Sequence, residues 1–396
     1  MDRFQPTMFK IVAGNVHLRM LTTPVYLDYN ATTPLDERVL DAMLPYFRTQ
    51  YANAGSAHLF GLSVHEAVEN AGDELAALIG AGAENIIYTS GATESVNLAL
   101  KGANIPGRNH IVTITTEHKA VLDTCAFLQQ QGYAITQVPV NREGWVNEQE
   151  LLNAVTDRTL QVCVMLANNE TGAISQVARA AEIAHAKGAF LLCDATQAAG
   201  KIPVNVHSLG ADFLALSAHK FYGPKGAGAL YISPEARKNF SAQIHGGGQQ
   251  KGLRSGTLNV PGIIGMGKAA AIAQTDMAGD GYRIGKLRNR LEQELLQIPD
   301  TFRNGPAEER LYTTTNICFP GVNAEQFILA LQHIAVSSGS ACTAATTRPS
   351  HVLKAMGLKD QEALSSIRFS LGRFTTEAEI EQAAGHIRLL VNRLRE

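Results

Sequence analysis

Short, continuous apolar runs alternate along this chain with longer stretches whose apolar residues recur at helical spacing. The runs IIYTS, HIVTIT, LQVCVML, AFLLCDA and FLALS are each about one strand long and are bounded by polar or turn-forming residues. Helical stretches separate them; the clearest, VARAAEIAHAKG from Val177 to Gly188, ends on a glycine. Apolar strands alternating with helices predict an α/β fold, with a mostly parallel central sheet flanked by helices on both faces.

That alternation covers residues 85–232. Beyond residue 266 the pattern changes to a charged helix (YRIGKLRNRLEQELLQI), then strand-like TTNICF, then helices to the end. The change predicts a flexible N-terminal extension over 1–25, a large domain over 26–265, and a smaller α+β domain over 266–396 to which the N-terminal segment contributes. No internal repeat or low-complexity tract interrupts this organisation.

Composition narrows the function classes only at the edges. With 34 basic and 36 acidic residues the formal net charge is −2, which gives no support for direct nucleic-acid binding. No apolar run approaches the roughly 18 residues that span a bilayer, and the first twenty residues lack a signal-peptide core, so a cytoplasmic protein without membrane contact is expected.

The five cysteines are odd in number and widely spaced, with no Cys-x-x-Cys pair, which argues against disulfides and a structural metal. Cys163, Cys193 and Cys318 sit in apolar runs, and Cys125 lies on a predicted helix. Cys342, in SSGSACTAA, is the exception, flanked by small and polar residues with nothing to bury it.

Candidate chemistry gathers around three stretches. In FLALSAHKFYGPKG, Lys220 follows directly after an apolar strand and precedes a Gly-Pro turn; a lone loop lysine is ordinarily solvated. Asp194, 26 residues earlier (220 − 194), ends the strand AFLLCDA, and the carboxyl ends of strands are where open α/β sheets bind ligands. Pyridoxal phosphate requires such a pair: a lysine to bond its aldehyde and an acid to keep its pyridine nitrogen protonated. In NIIYTSGATESVNLAL a strand, a small-residue turn and a helix opening near Ala92 to Glu94 form a phosphate cradle, although Thr93 and Ser95 would serve equally as helix caps.

From LDYNATTP through TSGATESVNLALKGA, TEHKAVLDTC, NNETG, DATQAAGK, SAHKFYGPKGAGALY, HGGGQQKGLRSGT and SSGSACTAA to SSIRFSLGRFT, the chain resembles the cysteine desulfurases of the IscS/NifS type. These are class V aminotransferase-like enzymes of PLP fold type I. The resemblance implies that Lys220 bonds the cofactor, Asp194 pairs with its pyridinium nitrogen, Gln197 meets the ring hydroxyl and His118 stacks on the ring. It implies that Thr93, Ser217 and His219 bind the phosphate, joined by Thr257 from the neighbouring subunit of a homodimer. Arg368 and Asn169 would hold the carboxylate of L-cysteine, with Asn30 as a further lining residue.

On the same resemblance, Cys342 attacks the substrate sulfur, becomes a persulfide and hands the sulfur to an acceptor protein. Iron–sulfur cluster assembly is the leading expectation for its destination. The alternatives are tRNA thiolation, DNA phosphorothioation and selenocysteine lyase activity. Two departures bear on the acceptor: the chain ends at Glu396, where many members carry a longer tail that docks a scaffold protein, and Arg348 stands where related sequences often have an acidic residue.

Overall fold

The computed structural model describes residues 24–338 and 348–396. After a two-residue strand β1 (Val25–Tyr26), the chain lays down seven strands of one sheet. They are β2 (Ile86–Thr89), β3 (His110–Ile114), β4 (Ala134–Val138), β5 (Thr159–Met165), β6 (Phe190–Asp194), β7 (Phe213–Ser217) and β8 (Gly228–Ile232). Their spatial order is β2-β8-β7-β6-β5-β3-β4, and every pairing is parallel except those of β8 with β7 and β2.

Residues of β5, β6 and β7 are almost wholly buried and point alternately to two hydrophobic cores. Val162, Leu191 and Leu214 face one core, while Cys163, Leu192 and Phe213 face the other. This is why both helical layers are needed and why these strands read as unbroken apolar runs.

The helix Val260–Leu295 spans 36 residues, about 54 Å at 1.5 Å per residue. Its first half packs Met266, Ala269 and Ala273 into the main core. Its second half contributes Leu287, Leu291 and Leu295 to another core, shared with Val25 and Leu27 from the chain's beginning and with Phe319, Phe369 and Ile387. Over that second core lie the antiparallel strands β9 (Phe302–Asn304), β10 (Thr314–Cys318) and β12 (Ser366–Ser370), in the order β12-β10-β9. Strand β11 (Ile334–Ala335) pairs with β1.

Two features place the site. Met165, Asp194 and Ser217 end β5, β6 and β7, so their side chains gather at the carboxyl edge of the large sheet. Across that edge, β12 receives two single bridges, from Asp28 to Ser370 and from Ser337 to Arg368, which bring the N-terminal segment and the far core to the same place. Gly228 is required here because a Cβ on it would lie 2.4 Å from Gly91 Cα, where the turn after β2 crosses the start of β8.

Candidate active site

A cavity of about 570 Å³ opens at that edge. Of the twelve residues nominated from sequence, it is lined by Asn30, Thr93, His118, Asn169, Asp194, Gln197, Ser217, His219, Lys220 and Arg368. Thr257 instead lines an adjoining cavity of about 170 Å³ with Gln250 and Arg254, and the two cavities share Ser90 and Gly226. Cys342 lies outside the described residues.

Lys220 closes a 3₁₀ turn, Ala218–Lys220, that follows β7. Its Nζ donates to the carbonyl oxygens of Asn30 (2.6 Å) and Ala31 (2.8 Å). Thr33 stitches the same N-terminal stretch to this turn: its N–H donates to His219 O at 2.9 Å, and its hydroxyl accepts from Tyr222 N–H at 2.9 Å. Asp194, buried at the end of β6, accepts Thr196 N–H on Oδ1 at 2.9 Å. Gln197 donates from Nε2 to Asn30 O at 2.9 Å and accepts Lys201 Nζ on Oε1 at 2.7 Å.

At the other end of the cavity the helix Ala92–Gly102 starts behind Gly91, and no side chain caps it. Thr93 and Ser95 therefore do not cap this helix. Ser95 Oγ donates to the carbonyl oxygens of Ala229 (2.9 Å) and Gly91 (3.3 Å) and accepts no helix N–H. The first-turn N–H groups and the positive helix end are left to an anion, beside Ser90, Thr93, Ser217 and His219. Burial, together with Lys220 and Lys225, lowers the His219 pKa to about 4, so its ring is neutral.

His118 is the N-cap of the helix Lys119–Gln130 and accepts Ala120 N–H on Nδ1 at 3.1 Å. Burial depresses its pKa, with Asp194 pulling the other way and Lys220 adding to the depression. With Nδ1 accepting, the neutral ring carries its proton on Nε2.

Arg368 enters from β12 and is buried. Its Nη2 meets Asp28 Oδ1 at 2.7 Å and its Nη1 donates to Asn169 O at 3.0 Å. Asn30 Nδ2 donates to Asn169 O (3.1 Å) and Thr314 Oγ1 (2.9 Å). Among the described residues, Arg368 Nε and Asn30 Oδ1 are buried without partners. Both residues line one polar cavity, and an arginine beside an amide suits the carboxylate and the protonated amine of an amino acid.

The sequence profile described as "Aminotransferase class-V" matches residues 25–383. A protein of Anaeromyxobacter dehalogenans described as "Cysteine desulfurase IscS" is 48% identical over 379 residues, covering 94% of each chain. The chain belongs to the cysteine desulfurases of this family. Among solved structures similar to this desulfurase, one titled "NIFS-LIKE PROTEIN" is 36% identical with a TM-score of 0.88, over 94% of this chain and 100% of that one. Another, "SspA in complex with cysteine", is 32% identical with a TM-score of 0.77, over 89% of this chain and 100% of that one.

The desulfurase site also contains residues that sequence reasoning did not nominate. Asp28 pairs with Arg368, Lys201 holds Gln197, and Glu117 lies buried beneath the cavity with Oε1 accepting Met165 N–H at 2.5 Å. Each sits one to four residues from a nominated residue, in LDYN, DATQAAGK and TEH. Their neighbourhood in the motifs was the available signal.

Proposed function

We propose that this chain is a pyridoxal-phosphate-dependent cysteine desulfurase that converts L-cysteine to L-alanine and passes the sulfur on from Cys342. The observation carrying this reading is the meeting of Lys220, Asp194, His118 and Arg368 in one cavity. Pyridoxal phosphate suits the donor set there: an amine from Lys220, a carboxylate from Asp194 for the pyridine nitrogen, an amide from Gln197 for the ring hydroxyl, and Thr93, Ser217, His219 and an uncapped helix start for the phosphate. His118 would cover the ring. When bound, the cofactor supplies an electron sink for the substrate's α-carbon.

The protein's own groups do the rest. Arg368, Asn169 and Asn30 hold the amino acid by its ends, which fixes its α-carbon relative to Lys220. Lys220 Nζ, released from the Asn30 and Ala31 carbonyls, takes the α-proton and returns it. His118, with its proton on Nε2, exchanges protons with the substrate thiol. The Cys342 thiolate then attacks the substrate sulfur. A sulfur–sulfur bond forms as the carbon–sulfur bond breaks, its electron pair stays with carbon, and a proton completes the methyl group of alanine. The thiolate has to be generated from a group whose ordinary pKa is about 8.5. Cys342 lies five residues (342 − 337) beyond Ser337, which lines the cavity.

The active species is a homodimer, with Thr257 serving the partner's cavity. Two observations support this: Thr257 stands outside its own chain's main cavity, and Phe47, Tyr51, Leu59 and Phe60 are 61–83% exposed. We divide the chain into a large domain over 26–265, whose core also takes Met266, Ala269 and Ala273, and a small one over 266–396, whose core also takes Val25 and Leu27. No helix among the described residues is long and apolar enough to cross a membrane, in keeping with work in the cytoplasm. The sulfur goes to an acceptor protein, with iron–sulfur cluster assembly as the proposed destination.

L-Cysteine added to wild type and to Cys342→Ala tests the reading. Wild type releases alanine under a thiol reductant, whereas the variant changes its cofactor absorption without turnover. Equal alanine release from both proteins overturns the role of Cys342.

A further inference from the structure

Lys201 is 5% exposed, and its partner among the described residues is a neutral amide oxygen, Gln197 Oε1, at 2.7 Å. No carboxylate is paired with it there. A buried ammonium of this kind is costly. Burial, with Lys220 and Arg368 nearby, brings its pKa down to about 7. Packing alone does not call for a polar end, since methionine has nearly the same volume and shape.

A tight turn precedes this side chain. Gly200 has φ +73°, and a Cβ there would lie 2.5 Å from Phe221 Cβ, so the turn is packed directly behind the Lys220–Phe221 segment. It returns Lys201 to the Gln197 side chain four residues earlier.

The two ends of an amide are chemically different. As an ammonium Lys201 only donates, so it selects Oε1; the Asn30 carbonyl only accepts in either state, so it takes one hydrogen of Nε2 at 2.9 Å. Gln197 is left with one N–H for the cavity that it lines. Resting on Gln197 as the contact to the cofactor's ring hydroxyl, we infer that Lys201 is a positioning residue that makes Gln197 present N–H, and not its carbonyl, to that oxygen. The lysine also polarises the amide and strengthens the N–H as a donor.

The test is an absorption-versus-pH titration of the bound cofactor, without substrate, in holoenzyme of wild type, Lys201→Met, Lys201→Gln and Gln197→Ala, with thermal midpoints measured alongside. Losing an oriented donor to the ring oxygen raises the chromophore's apparent pKa by about one unit in Lys201→Met. The melting temperature is unchanged or higher, because an uncompensated buried amine has been removed. Lys201→Gln keeps an N–H for Gln197 Oε1 and titrates close to wild type. In the double variant with Gln197→Ala, the shift does not exceed that of Gln197→Ala alone.

A Lys201→Met protein that titrates like wild type while Gln197→Ala is shifted overturns the inference. So does a Lys201→Gln curve displaced as far as that of Lys201→Met. A Gln197→Ala protein that titrates like wild type instead overturns the assignment of Gln197 to the ring oxygen.

Discussion

Two groups of buried charges in this molecule are organised in opposite ways. On the helix Val260–Leu295, Glu292 is gripped by a two-pronged contact from Arg310 (2.7 Å to each oxygen), by Arg303 at 3.2 Å and by Thr315 Oγ1 at 2.6 Å. Burial alone would raise its pKa; these partners outweigh it and hold the carboxyl at about 2. Beside the cavity, Glu117 is 0% exposed, one of its oxygens has no partner among the described residues, and burial with Asp194 nearby lifts it to about 8. Lys201, also buried, is drawn down to about 7. The carboxylate of Glu292 is compensated by its ion pairs. Glu117 and Lys201, without an opposite charge paired to them among the described residues, are drawn towards neutrality.

Exchanging the consequences of the two groups breaks the comparison most sharply. Lys220→Ala is expected to lower alanine formation by ~10³ or more while thermal unfolding stays near the wild-type midpoint. Glu292→Ala does the reverse: stability falls by about 3–5 kcal/mol, because Arg310 and Arg303 lose their acid, and turnover per folded molecule is retained. Steady-state kinetics and denaturant unfolding of both variants check the pair.

Arg368 stands between the two regimes, since it has a carboxylate partner in Asp28 and still keeps Nε unpartnered among the described residues. Arg368→Ala should raise KM for L-cysteine roughly 10- to 100-fold, the loss of one charged hydrogen-bonded contact. Cysteamine, which lacks the carboxylate, should bind the variant and the wild type alike in competition assays.

The smallest effect is a matter of sign. Glu117 binds its proton more tightly in the folded chain (about 8) than at its ordinary value of 4.5. Between those values the folded state therefore holds more protons than the unfolded one, and stability falls as pH rises through the window. Glu292 acts oppositely, stabilising the fold above its ordinary 4.5 and losing that contribution as pH falls towards 2. Glu117→Gln removes the alkaline loss without changing shape. Its melting temperature should match wild type near pH 4 and exceed it at pH 8 by on the order of 2 °C, measured calorimetrically at both values.

Much of the fold was legible because the central strands are buried on both faces and so read as apolar runs. The edge strand β4, AITQV, escaped that reading because four of its five residues are exposed or half-buried. The antiparallel placement of β8 between β2 and β7 escaped it too, since register and direction are set by partners and not by a strand's own residues. The site followed the same division. Lys220 and Asp194 stood out through local context, a reactive group at the end of a strand. Asp28 and Lys201 did not, because their meaning lies in what they touch.

By itself the sequence specified the alternating α/β pattern, the chemical types needed for the cofactor and the substrate, and the family that combines them. Periodicity and ordered motifs are properties of the chain alone. Tertiary structure decided that Asn30 meets both Lys220 and Gln197, that Arg368 arrives already paired with Asp28, and that Thr257 lies outside its own chain's main cavity. These contacts join residues up to 340 positions apart, and the packing of the N-terminal segment against both β12 and the Lys220 turn brings them within hydrogen-bonding distance.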